Sequence, residues 1–274
     1  MEFTVATKMT YKIDAGTGQH IGDRSEQQDR ITLMGAPKAP GYMMAVLADG
    51  MGGASSGVMA AEQVIRTASH AFENFSPLTD DIESMLRDVA SEIHTVIKLQ
   101  TLASEARPQS TLVLLVLTPE QTAIWGHVGD SRLYRFSGPN LAERTVDHTQ
   151  PGTPQSGTAG CGLSERRASP RLLLNVLGQN GGEPILTIGR HAGLKEGDAF
   201  VLCTDGMWQY CSDAEFGAAI AMNAPREAAQ MLMRKARERA LPGEADNCSL
   251  AIVKLVASPK QKPDFQIGKM RRAV

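Results

Sequence analysis

Three strand-like runs, residues 111–117, 123–128 and 132–136, follow one another through connections too short to hold a helix. Parallel neighbours need a crossover of a dozen or more residues, so these runs predict antiparallel pairing and exclude a doubly wound sheet. Further runs rich in Val, Ile and Leu lie at 42–48, 185–188, 199–204 and 248–256, and a shorter apolar stretch lies at 31–34. The chain is strand-heavy.

Between the runs at 42–48 and 111–117, apolar residues switch to helical spacing. Val58, Ala61, Ile65, Ala68 and Phe72 step by three and four, as do Ile82, Met85, Val89, Ile93 and Val96. Each set makes one apolar stripe, and the two helices are expected to form an antiparallel pair separated near Pro77. Asp80 followed by Glu83 predicts the start of the second helix. A second pair is expected near the C-terminus, with Ser212 and Glu215 as a capping box and Pro225 in the first turn of a helix over 226–240.

Helix pairs bracketing strands predict the α+β class. Two stacked, mostly antiparallel sheets with antiparallel helix pairs on both outer faces, an αββα four-layer sandwich, would bury every stripe. A chain of 274 residues, 42% hydrophobic, can fill such a core. Residues 1–256 are expected to form one domain, and 257–274 a basic, frayed tail carrying Lys260, Lys262, Lys269, Arg271 and Arg272. Residues 149–162, crowded with Pro, Gly, Ser and Thr, read as a surface loop.

A net charge of -2, from 28 Lys and Arg against 30 Asp and Glu, supplies no global basic field, so nucleic acid is not an expected partner. No apolar run approaches the ~20 residues of a membrane-spanning helix. The stretch through Lys12 lacks the continuous apolar segment of a secretory signal, which predicts a cytoplasmic location. Cys161, Cys203, Cys211 and Cys248 show no CxxC spacing and read as reduced thiols.

Several acids stand at the ends of these runs. Asp49-Gly50 ends 43–48, Asp205-Gly206 ends 200–204, Asp29 opens 31–34, and Asp246 precedes 248–256. One Asp-Gly pair is ordinarily a turn, but four carboxylates at strand ends can converge on a hard divalent cation. No His or Cys cluster competes as a softer site. Ser25 and Ser131 lack a His and acid partner, and Cys203 lacks a phosphate-cradling loop, so none is expected to be a nucleophile. His127 and His148 are read as structural hydrogen-bonders.

In order along the chain stand RSEQQDR (24–30), ADGMGG (48–53), GDSR (129–132), Asp147-His148, TDGMW (204–208) and Asp246-Asn247. From about Gly16 to Val256 the chain thus resembles the metal-dependent protein phosphatases of the PPM or phosphatase 2C type. The resemblance implies the same four-layer fold and a centre of two Mn²⁺ or Mg²⁺ ions. The position matching Asp49 bridges both ions, the carbonyl matching Gly50 joins one, and those matching Asp205 and Asp246 hold the other. Asp29 acts through water, and Asp130 shares a weaker third ion with Asp205. Paired cations ~3.5–4 Å apart activate water toward phosphorus, and Arg24 fits the phosphate clamp because a guanidinium donates two parallel hydrogen bonds. The expected partners are proteins phosphorylated on Ser or Thr by a bacterial kinase.

Some positions depart from the family pattern. Gln27 and Gln28 stand where asparagine and glutamate are common, and an uncharged Gln28 lowers the negative charge at one metal. Met51, as in bacterial members, replaces a histidine proposed as general acid. The segment from Leu174 to Gly178 lacks the usual threonine and arginine. These changes leave open a second expectation, a catalytically weak phosphatase-like module that binds a phosphoprotein or regulator.

Overall fold

The computed structural model describes residues 11–102, 107–150 and 172–257. Eleven strands and five helices follow in the order β1 (Tyr11–His20), β2 (Asp29–Gly35), β3 (Met43–Met51), α1 (Ala54–Asn74), α2 (Ile82–Leu102), β4 (Gln109–Ser110), β5 (Leu112–Leu117), β6 (Thr122–Val128), β7 (Arg132–Ser137), β8 (Asn140–Arg144), β9 (Thr187–Ala192), β10 (Asp198–Cys203), α3 (Asp205–Trp208), α4 (Asp213–Met222), α5 (Pro225–Arg239) and β11 (Cys248–Ala257). One sheet has the order β1-β11-β10-β7-β8; the other runs β2-β3-β5-β6-β9, with β4 added to β3. Every pairing is antiparallel.

The apolar runs are continuous because both faces of the central strands are buried. On β3 and β5, Met44, Val46, Leu112 and Leu114 face α1 and α2, whereas Ala45, Leu47, Val113 and Leu115 face the opposite sheet. On β10 and β11, Val201, Leu250 and Ile252 pack under α4 and α5, while Phe200, Leu202, Ala251 and Val253 fill the space between sheets. Three apolar layers thus separate four structural layers, the αββα sandwich expected from the sequence.

Local signals were partly displaced. Ser212 and Glu215 form the capping box at α4, and Pro225 occupies the first turn of α5. At α2, however, the backbone N–H of Ser84 is bonded to Asp81 Oδ2 at 2.8 Å, so Asp81 caps the helix. Asp80 instead accepts from Ser76 N in the preceding turn. The strand expected at 185–188 begins at Thr187, because Ile185 pairs its backbone N–H and C=O with the Asn175 side chain. The ten-residue edge strand β1 and the exposed β8 carry no apolar run, and the sequence pattern predicts neither. Among the described residues, no helix is long and apolar enough to cross a membrane.

The loop expected at 149–162 falls mostly outside the described residues, as do Cys161 and the basic tail. Its flanks are described: Gln150 N donates to Leu172 O at 2.9 Å, and Thr149 bridges Leu173. The chain therefore leaves and returns at one place.

Candidate metal centre

The two sheets deliver their acids to the same end of the sandwich. Asp29 opens β2 and stands opposite Asp49 in the β2–β3 register. Both continue the alternation of residues facing the other sheet, Ile31 and Leu33 on β2 and Ala45 and Leu47 on β3. From that other sheet, Asp205 follows β10 and Asp246 precedes β11, strands joined here by Thr204 N donating to Ser249 O at 3.0 Å. Thr204 Oγ1 crosses the gap and donates to Asp29 Oδ2, also at 3.0 Å. Asp130 lies in the bend where the chain passes from β6 of one sheet to β7 of the other.

A cleft of about 400 Å³ is lined by Arg24, Asp49, Gly50, Asp130, Asp205 and Asp246, together with Ser25, Glu26, Gln28, Met51 and Asn247. The other site residues expected from the sequence are thus brought together, and Asp29, opposite Asp49 in the strand register, is fully buried and does not line the cleft. Arg24 stands at the mouth, 62% exposed, with Nη2 2.7 Å from Asp246 Oδ2.

Charge here is unbalanced. Burial, opposed by hydrogen bonds from Ser249 and Thr204, raises the Asp29 pKa to about 7. Asp49 and Asp205 lie well above the usual carboxylate range, first through burial and then through the neighbouring acids. A bound cation would favour the charged form of such a set.

Several observations fit a divalent ion. Asp29 Oδ1 is buried without a hydrogen-bond partner. Gly50 has no room for a side chain, because an added Cβ would stand 2.0 Å from the carbonyl oxygen of Gly57 on α1. Among the described residues, no three His, Cys, Asp or Glu side chains close around a metal-sized point. The carboxylate and carbonyl oxygens of the cleft are of the kind that hard divalent ions take. Mg²⁺ takes only one or two carboxylates and completes its shell with water and other oxygens.

The loop carrying Arg24 is pinned by Asn247, which sequence motifs alone had not singled out for a role. Its Oδ1 accepts from Gln28 N at 2.7 Å, and its Nδ2 donates to Ile21 O at 2.7 Å and Glu26 O at 3.0 Å. Gln28 also accepts from Gly50 N through its carbonyl, and its side-chain amide lies against Gly57. Beneath the Asp49 turn, Thr111 Oγ1 accepts from Asp49 N at 3.0 Å and pairs with Ser131 Oγ at 2.8 Å. Ser131 is therefore a buried scaffold hydroxyl.

Neither His127 nor His148 lines the cleft. Their rings stack with centroids 4.5 Å apart. His148 Nδ1 faces two donors, Gly129 N at 3.2 Å and Asn175 Nδ2 at 2.8 Å, while Nε2 contacts Thr187 Oγ1 at 2.9 Å. Burial, then the His127 neighbour, lowers its pKa to about 4. Cys203, Cys211 and Cys248 are free and buried, and burial pushes each thiol upward, which leaves them inert.

Residues 16–241 match the protein phosphatase 2C family, and the chain belongs to it. It is 30% identical over 179 residues to the serine/threonine phosphatase stp of Listeria welshimeri, covering 62% of this chain and 68% of that one. The fold is similar to that of the Streptococcus agalactiae serine/threonine phosphatase, with a TM-score of 0.75 at 23% identity over 89% of this chain and 99% of the other. It is also similar to the PstP catalytic domain solved in complex with 2 manganese ions, with a TM-score of 0.71 and 23% identity over 90% of this chain and 100% of that one.

Proposed function

We propose that the cleft hydrolyses phosphoserine and phosphothreonine in proteins, using two divalent cations, Mn²⁺ or Mg²⁺. The observation that carries this reading is the convergence of Asp29, Asp49, Asp130, Asp205 and Asp246 from both sheets on one site, where burial and mutual repulsion raise the pKa values of Asp29, Asp49 and Asp205. Like charges held together by the fold are costly without a counter-cation. The serine/threonine phosphatase names of the relatives support phosphoproteins as the substrate class.

In this reading Asp49, the Gly50 carbonyl, Asp205 and Asp246 would hold the ions. Asp29, opposite Asp49 in the strand register, would act through water, and Asp130 with Asp205 would hold a weaker third ion. When bound, the ions supply an activated water and neutralise phosphoryl oxygens. The chain itself orients the phosphate through Arg24, whose mouth position and exposed guanidinium suit two parallel hydrogen bonds to it. No histidine among the described residues lines the cleft, so the leaving alkoxide takes its proton from water or from a residue other than histidine. The substrates are proteins phosphorylated by a bacterial Ser/Thr kinase in the cytoplasm, and residues 1–256 form the catalytic domain.

The test is phosphate release from an aryl phosphate and from phosphothreonine peptides, with Mn²⁺, Mg²⁺ or chelator, for the parent and Asp205→Asn. Strong Mn²⁺ dependence and near-complete loss in the variant are expected. Equal turnover in chelator overturns the metal mechanism. Absence of turnover with every divalent ion, alongside retained phosphopeptide binding, identifies a binding module instead.

A further inference from the structure

Asp130 and Asp205 sit on different connections, one between the sheets and one after β10, yet a single side chain ties them together. Trp208 ends the short helix that Asp205 begins, and its indole N–H donates to the carbonyl of Asp130 at 3.0 Å. The ring is 2% exposed, and the Arg132 guanidinium lies 3.7 Å from its centroid. Arg132 in turn places Nε and Nη2 on the two oxygens of Asp147, both at 2.7 Å, and Nη1 on the Tyr134 hydroxyl at 3.3 Å. Resting on the phosphatase reading above, we propose that Trp208, braced by Arg132 and Asp147, is a positioning unit. It fixes the Asp130 carboxylate relative to Asp205 and thereby sets how tightly this side of the cleft binds a divalent cation.

Two physical points support a positioning role. The Asp130 bend turns at Gly129, whose φ of 102° favours glycine, and carries the chain from one sheet to the other. Gly129 and Ser131 are held by His148 and Thr111, and the Trp208 bond is what ties Asp130 between them to the helix that Asp205 begins. A buried ion pair is also a poor source of net stability compared with apolar packing, so its place beside the acids is better explained by geometry. Supporting groups of this kind orient metal ligands, and their loss typically weakens binding ~10–100-fold.

Trp208→Phe keeps an aromatic face over Arg132 and removes the N–H together with part of the ring. Mn²⁺ binding to the full chain by calorimetry is expected to weaken ~10-fold at the weakest site, with a modest fall in the thermal midpoint in chelator from the packing lost with the smaller ring. In an Asp130→Asn background the same substitution should cause no further loss, because the unit acts through Asp130. Unchanged Mn²⁺ affinity in Trp208→Phe, or losses that add in the double variant, overturn the proposal. A second measurement leaves Trp208 in place. Its indole N–H resonance, assigned with Trp125→Phe, should shift when Mg²⁺ is added to the parent and stay fixed in Asp130→Asn; a resonance indifferent to Mg²⁺ in the parent also overturns it. A parent that binds no divalent ion removes both this proposal and the phosphatase reading. A parent that turns over while Trp208→Phe binds Mn²⁺ normally removes only the former.

Discussion

Two polar clusters share one end of the sandwich and are built on opposite rules. Arg132 and Asp147 are 9% and 12% exposed and form a two-pronged ion pair, with Tyr134 and the Trp208 ring taking the remaining faces of the guanidinium. Burial works against charge on Arg132, but its partners overcome that cost and hold it charged. The cleft instead gathers acids with Arg24 at its mouth, leaves Asp29 Oδ1 unpartnered and drives the pKa values of Asp29, Asp49 and Asp205 upward. A fold that satisfies charge so fully in one cluster and leaves it unmatched in the next marks the second as the place for a ligand.

Breaking the balanced cluster should have the largest effect on folding. Arg132→Met strands Asp147 in a buried site, and a loss of about 3–5 kcal/mol in unfolding free energy is expected from denaturant titration. Asp205→Asn acts the other way. Turnover with saturating Mn²⁺ should fall by at least ~10²–10³, while the thermal midpoint in chelator rises because one repelling charge is gone. A fall in that midpoint would show that the acids are not in conflict.

Arg24→Ala should weaken use of phosphopeptides through KM more than kcat. The expected loss is about 1.5–3 kcal/mol, the worth of a hydrogen bond to a charged group, read from kcat/KM. Unchanged kinetics would leave Arg24 as a mere partner of Asp246.

The flank of the balanced cluster should be acid-sensitive. His148 is held neutral, with its folded pKa near 4 below an ordinary value of 6.5, so the folded state binds fewer protons than the unfolded one. Its contribution is complete above 6.5 and is lost as pH falls from there through 4. His148→Asn should flatten this limb in urea titrations between those limits; an identical slope in parent and variant would contradict the assignment. The smallest effect is expected far from both clusters. Ser212→Ala removes the α4 cap and should cost about 1 kcal/mol, with turnover unchanged.

Much of this was readable from residue order. The acids were found because each interrupts an apolar run beside a glycine or at a strand start, and a strand end is where a buried backbone can place a carboxylate beside open space. The β1 and β8 edges escaped notice because YKIDAGTGQH and NLAER lack an apolar period; their pairing is specified by the neighbouring strand. The choice of Asp81 over Asp80 as the α2 cap depended on a turn that had already engaged Asp80. Asn247, Trp208 and the Arg132–Asp147 pair were visible only as parts of motifs, since their partners lie far along the chain.

The amino-acid order alone determined the apolar runs and stripes, hence the class of fold and the acids available at strand ends, because hydrophobic period and turn chemistry are local properties. Tertiary structure decided that Asp29 faces Asp49 and that Thr204 bonds Asp29 across the sheets. It also decided that Trp208 reaches the Asp130 carbonyl. Such contacts depend on strand register and sheet stacking, which are fixed only when distant segments compete to bury their faces together.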